Sequence, residues 1–396
     1  MAYDYAYYRK ILDGQSFPIA VVDMDLLDKN IELIQQQAQG MLIRIASKSV
    51  RCRYLIDYIK QKLEHCAGVM TYHGREALWL SQHSEGHCLM GYPVADKKIL
   101  RDIGWALTEG REITLMVDHP DHLALLEEIG REINRTFSIC LDIDLSVDFG
   151  PLHFGVWRSP LTDGKQVERF LEVLKNKDRL RLDGLMGYEA QIAGVGDQVK
   201  SQALKSALIR LLKKRSLPKL RTWRAEAVKQ IRQAGYSLPL VNGGGTGSLS
   251  STREEKDVTE ITVGSGFYAP HLFDNYQALN LYPAAFFAAQ IIRQPKDGVY
   301  TCHGGGYIAS GGVEALKAPK VHLLPGARLD VNEGAGEVQT PVFYKGKEAL
   351  KIGDPVFFRH AKAGELCEHF CEICLIRKGT IIKVVPTYRG EGQNFL

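Results

Sequence analysis

The sequence predicts a mixed α/β chain: a closed (β/α)8 barrel of the TIM type, followed by a C-terminal, mainly antiparallel β domain. Two patterns carry this. From residue 42 to residue 264, eight short apolar runs alternate with amphipathic stretches. Strands that alternate with helices imply a parallel sheet with right-handed crossovers, and eight such units in about 230 residues imply a sheet closed on itself. After residue 283 the helical stretches stop, and strand-like runs punctuated by Gly and Pro follow one another, as in an antiparallel sheet. The expected division is 1–283 for the barrel and 284–396 for the β domain.

Taken in order, Ile19–Asp23 reads as a short strand. Asp25 then offers an N-cap, and Leu27, Ile31, Ile34 and Ala38 recur at helical spacing until Gly40. Because this strand precedes the barrel pattern, residues 1–25 are candidates for pairing with the β domain. Barrel strands are expected at Leu42–Ser47, Val69–Tyr72, Cys88–Val94, Ile113–Asp118, Phe137–Asp144, Leu182–Tyr188, Leu238–Asn242 and Ile261–Gly264. Helical spacing between them marks stretches such as Tyr54–Leu63, Arg75–Ser81, His122–Ile133, Val167–Leu174 and Ser201–Leu212. The β-domain strands are expected at Ala285–Ile292, Tyr300–Cys302, Val321–Leu324, Val338–Tyr344, Pro355–Arg359, Ile373–Ile376 and Thr380–Val385.

Composition excludes several classes of function. The 396 residues are 45% hydrophobic and 24% charged, with a net charge of +4, as in an ordinary soluble protein. No apolar run approaches the roughly 18 residues of a membrane helix, and the N-terminus lacks the basic-then-apolar order of a signal peptide. The densest basic stretch, Lys213 to Arg221, comes without an aromatic platform and reads as a solvated helix face with a turn rather than a nucleic-acid contact. Eight scattered cysteines in such a chain are expected to be reduced thiols in the cytoplasm. The cluster Cys367, His369, Cys371, Cys374 matches no common zinc spacing, and its residues are expected to alternate along a strand.

The chemistry should lie where a barrel enzyme keeps it, at the carboxyl ends of the strands. Those ends carry Lys48, Tyr72-His73, Tyr92, Asp118-His119, Asp144, Tyr188-Glu189, Asn242 and Gly264-Ser265. His73 and His119 read equally as turn residues. Lys48 follows the apolar run Leu42–Ala46 and precedes Arg51 and Arg53. Partial desolvation and nearby cations both favour a neutral amine, which can attack a carbonyl and form a Schiff base. Two glycine clusters follow strands seven and eight, Gly243–Ser248 (GGGTGS) and Gly264–Gly266 (GSG). Without side chains, such loops let consecutive N–H groups approach an anion, and this is the usual phosphate position of the barrel. A phosphate site across the barrel mouth from a strand-one lysine suggests pyridoxal phosphate.

At this point the chain resembles the fold-type III pyridoxal-phosphate enzymes, which include alanine racemase, D-threonine aldolase and D-serine dehydratase. The likeness spans nearly the whole chain and is closest to the aldolase and dehydratase branch. It rests on Phe17–Asn30 (FPIAVVDMDLLDKN), Arg44–Ser49 (RIASKS), Leu182–Glu189 (LDGLMGYE), Gly243–Gly247 (GGGTG) and Gly264–Tyr268 (GSGFY). The resemblance implies Lys48 as the Schiff-base lysine and Tyr188 as the residue against the cofactor ring. It implies Gly244, Gly245, Thr246, Gly264 and Ser265 as the phosphate-binding residues. It further implies a lyase for a β-hydroxy D-amino acid, cleaving it to glycine and an aldehyde or dehydrating it, in a homodimer with a small-molecule substrate.

The pattern departs from that branch at two places. Relatives pair a histidine with Asp or Cys two residues on to bind a divalent metal, whereas here His360 is followed by Lys362, a poor metal partner. His360 is therefore the expected base or residual metal ligand, and the metal stays open. His153 stands where relatives often have arginine, so contacts of that arginine do not carry over. Two alternatives remain: an amino-acid racemase, with Tyr307 or Tyr344 as a second base from a partner subunit, and a non-catalytic pyridoxal-phosphate-binding protein.

Overall fold

The computed structural model describes residues 3–312 and 314–396. Eight parallel strands close a barrel: Leu42–Ala46, Cys66–Thr71, Cys88–Met90, Ile113–Val117, Phe137–Ile143, Leu180–Gly187, Leu240–Gly243 and Glu260–Val263, barrel strands one to eight. Closure comes from strand eight on strand one, with Ile261 beside Ile43 and Val263 beside Ile45. These strands are buried on both faces, so they are apolar runs without alternation. Inside the barrel, Arg44 forms a two-pronged ion pair with Glu260, at 2.6 and 2.7 Å. Asn242 donates to the same carboxylate at 2.7 Å and to Thr262 at 2.8 Å. Such hydrogen bonds offset part of the desolvation of a buried pair.

The β domain is a nine-stranded sheet, antiparallel apart from one pairing. The strand Ile19–Asp23 is built into it, antiparallel to Ala285–Lys296 on one side and parallel to Glu372–Arg377 on the other. A stack of Phe287 on Phe358 (5.1 Å between centroids) and edge contacts among Tyr8, Phe286 and Phe357 fill its core. No helix among the described residues is long and apolar enough to cross a membrane.

Three local expectations are corrected. The first long helix, Met24–Ala38, is capped by Asp23 rather than Asp25, because Asp23 still has extended backbone and accepts from the N–H groups of Asp25 and Leu26 (3.0 and 3.1 Å). The basic stretch contains no turn: Ala203–Gln233 is one helix that runs through Pro218. Nor is that face fully solvated, since Lys213 is buried against Asp197 at 3.0 Å. The cysteine cluster is not one strand, because Cys367 lies on the 3-10 turn Gly364–Glu368 and only Cys374 lies within a strand.

Candidate active site

Six of the eight polar strand ends meet in one cavity of about 770 Å³, lined by Lys48, Tyr72, Tyr92, Tyr188, Asn242 and the Gly264-Ser265 pair. The other two turn elsewhere. Asp118 pairs with His122 at 3.1 Å, and Asp144 accepts from the Ser146 N–H at 2.8 Å. His73 and His119 cap helices, accepting from the N–H groups of Arg75 and Asp121 at 3.2 Å, which is the turn reading.

Lys48 occupies a 3-10 turn, Ser47–Ser49, at the end of strand one. Its ammonium donates to the Tyr92 hydroxyl at 3.0 Å. The side chain is exposed to the cavity rather than partly desolvated as the sequence suggested. Its backbone is held from far along the chain. Arg51 donates from Nε to the Lys48 carbonyl (2.9 Å) and pairs with Glu368. A Cβ on Gly364 would collide with that same carbonyl, so only glycine fits there.

The two glycine loops touch each other. The Gly266 N–H donates to Thr246 Oγ1 at 3.0 Å, and Ser265 Oγ lies 3.2 Å from Ser49 Oγ, beside the lysine turn. A Cβ on Gly264 would stand 2.8 Å from Ala46 and Ser49, and one on Gly245 would stand 2.8 Å from Ala193 and 3.3 Å from the Tyr188 ring. The N–H groups of Thr246 and Ser265 donate to no backbone carbonyl among the described residues. Glycines that keep a lined hollow open, with N–H groups to spare, suit a phosphate, and a lysine amine on the same hollow suits an aldehyde. The residues present therefore fit pyridoxal phosphate.

Behind the first loop lies a buried ionic cluster. Glu189 accepts from the Gly244 N–H (3.1 Å), from the Thr252 hydroxyl and from Arg224 (2.6 Å). Arg224 also pairs with Glu255 at 2.5 Å. Burial pushes the Glu255 carboxyl up, and Arg224 pulls it back down.

Arg158, which the motifs did not single out, reaches the cavity over the rings of Tyr92 (5.9 Å) and Tyr188 (5.5 Å). It follows the hairpin that holds His153, so a cation reaches the cavity from five residues beyond the position expected for arginine. His153 itself turns to Asp148 (2.8 Å) and stacks on Trp157. Burial pushes the Tyr188 phenol up to about 12, against the pull of Arg158. Asp142 is likewise held well above the usual carboxylate range by burial and then by Asp118, with Arg158 opposing.

His360 does not join these residues. It is buried, absent from the cavity lining, and neither ring nitrogen has a hydrogen-bond partner among the described residues. Burial, then Arg359 and His271, lower it to about 3. No group of three His, Cys, Asp or Glu side chains among the described residues could hold a metal. A histidine under the field of Arg359, with Lys362 rather than a ligating side chain two residues on, does not fit a divalent cation. Lys362 does line the cavity, with Ala363, Gly364 and Glu365. Tyr307 stacks on His369 and the Tyr344 hydroxyl accepts from the Glu348 N–H (3.1 Å), and neither lines the cavity of its own chain.

The family model described as "Alanine racemase, N-terminal domain" matches residues 22–271. Among solved structures, the chain is similar to D-threonine aldolase from Filomicrobium marinum, at 17% identity and a TM-score of 0.78, with 95% of each chain covered. It is also similar to D-threo-3-hydroxyaspartate dehydratase from Delftia sp. HT23, at 18% identity and a TM-score of 0.75, covering 94% of this chain and 98% of that one. Alanine racemase from Clostridium difficile 630 gives 15% identity and a TM-score of 0.66, covering 94% of this chain and 99% of that one. No curated protein sequence matches the chain.

Proposed function

Because the chain belongs to the alanine racemase N-terminal domain family, the barrel of the fold-type III pyridoxal-phosphate enzymes, we propose that it is a pyridoxal-phosphate-dependent lyase for a β-hydroxy D-amino acid. The observation that carries the reading is one cavity in which Lys48, Tyr188 and both glycine loops meet. The higher TM-scores with an aldolase and a dehydratase than with a racemase support the lyase branch.

Lys48 would hold the cofactor's aldehyde carbon, the glycine loops its phosphate, and Tyr188 would border it. When bound, pyridoxal phosphate supplies an electron sink for the bond broken at Cα. The chain's own residues supply binding and proton movement. Lys48 Nζ is the atom that takes or returns a proton, and Tyr92 Oη, 3.0 Å away, is placed to exchange it. Arg158 offers a fixed cation for the substrate's carboxylate beside those tyrosines. The Arg51–Lys48 and Gly364–Lys48 contacts fix the amine's approach. No step is assigned to His360. The active form is expected to be a homodimer, checked by light scattering.

The test is the absorbance of purified protein with added pyridoxal phosphate. A band near 420 nm, which a lysine-bound cofactor gives, should appear, be bleached by borohydride, and be absent from Lys48→Ala. Products then separate the reactions. A lyase releases aldehyde or ammonia from D-hydroxy amino acids, while a racemase yields only the mirror-image amino acid. A wild type that never develops the band overturns the assignment.

A further inference from the structure

We propose that the cavity contains a second anion subsite, formed by Lys317 and Lys362 around Ser310 and Gly311, which receives the side-chain carboxylate of a dicarboxylic substrate. This rests on the reading above and names its substrate class.

The cavity lining is unbalanced in charge. It carries six cationic side chains, Lys48, Arg51, Arg158, Lys205, Lys317 and Lys362, against two carboxylate side chains, Glu314 and Glu365, and the terminal residue Leu396. Arg51 is neutralised by Glu368. The phosphate has its own donors in the loops after strands seven and eight, so it does not account for lysines presented by the β domain.

Two of those lysines converge. Gly311 has φ +109, and a Cβ built on it would lie 3.5 Å from Lys317 Nζ and 3.8 Å from Lys362 Nζ. Two ammonium groups thus flank one residue that has no side chain. Lys362 also donates to Ser310 Oγ at 3.0 Å. Glu365 lies 3.7 Å from Lys362, but it is engaged in holding the Ser310 loop, accepting from the Ser310 N–H at 2.8 Å and from its hydroxyl. Among the described residues no carboxylate pairs with Lys317. Like charges this close repel, and an anion between them reverses the sign of the interaction. A methyl or hydroxymethyl side chain would leave Lys317 without an anionic partner and Lys362 with only the shared Glu365 carboxylate, whereas a carboxylate has two oxygens to divide between the two ammonium groups. Arg158, on the barrel side, remains for the α-carboxylate.

The holoenzyme is titrated by calorimetry with D-aspartate and with D-alanine, neither of which has a β-hydroxyl to lose. D-Aspartate is expected to bind at least about tenfold more tightly, as a charge-assisted contact gives. Lys362→Met and Lys317→Met should each shrink that ratio, the double variant should bring it near one, and Lys362→Arg should retain it. The band near 420 nm reports on each variant that the cofactor site is intact. Equal affinities in a wild type that shows the band, or a preference that survives in the double variant, would overturn the subsite while leaving the lyase reading in place. A wild type without the band would remove the lyase reading instead.

Discussion

Arg224→Met tests whether the buried ionic cluster holds the first glycine loop. The Arg224 side chain is 1% exposed, Glu189 1% and Glu255 9%. Removing the guanidinium strands two carboxylates away from water without a cation and costs the Gly187 carbonyl its 2.9 Å donor. Breaking a buried pair in this way costs about 3–5 kcal/mol, a large share of a typical stability of about 5–15 kcal/mol. Glu189 also accepts the Gly244 N–H, so its displacement should loosen the loop and weaken pyridoxal phosphate binding. Urea unfolding at pH 8 measures the first effect, and titration of apoprotein with the cofactor measures the second. The loss of stability should shrink as pH falls, because Glu255, whose carboxyl burial already pushes up, takes up a proton once Arg224 no longer pulls it down. Adding Glu189→Leu should recover part of the stability without restoring cofactor affinity, because the Gly244 N–H still lacks its acceptor. An Arg224→Met protein within about 1 kcal/mol of wild type, with unchanged cofactor affinity, would refute the argument.

Two further outcomes are expected. Glu76 is buried, and burial raises its carboxyl to about 7, against hydrogen bonds from Ser47, the Tyr72 N–H and Tyr388. The folded chain therefore holds a proton that the unfolded chain releases near 4.5, and stability should fall by up to about 3 kcal/mol as pH rises from 4.5 to 7. Urea midpoints at pH 5 and pH 8 should differ less in Glu76→Gln, and an unchanged difference would count against this assignment. In Gly266→Ala the new Cβ would stand 2.8 Å from Thr246 Cγ2 and force the two glycine loops apart. Cofactor affinity should drop about tenfold or more, the scale of a lost contact of about 1.4 kcal/mol, and an unaltered affinity would show that the loops do not act as one cradle.

The barrel was legible because parallel strands buried on both faces are written as short apolar runs, and because a polar residue ends each of them. Lys48, Tyr188, Gly244, Gly245, Thr246, Gly264 and Ser265 all came from those ends, and the structure gathers them in one cavity. What escaped depends on distance in the chain. Nothing local marks Arg158, whose place over Tyr188 is set by the preceding hairpin, or Lys317, which meets Lys362 only once the sheet has formed. Pro218 reads as a helix breaker because it lacks an N–H. The helix runs through it with buried residues on both sides: Lys213, paired with Asp197, lies before it, and Leu220, Ala227, Val228 and Ile231 lie after it. His360 was suggested by its resemblance to a metal ligand, but packing buries its ring beside Arg359 and His271.

The placement of Ile19–Asp23 sets an order of assembly. Made before the barrel, it becomes an interior strand of a sheet whose other members are made after the barrel, with Val21 paired to Phe286 on one edge and to Cys374 on the other. During synthesis the barrel segment emerges whole while this strand still has both edges bare. An unpaired apolar strand is a template for intermolecular pairing, and contacts this remote in sequence form late. That strand thus has to be shielded until residues 285–296 and 372–377 have been made. A ribosome stalled beyond the barrel but short of residue 372 would display that strand with one side unfilled, which makes the interval between synthesis of the barrel and of residues 372–377 the moment at which this strand is most exposed to aggregation.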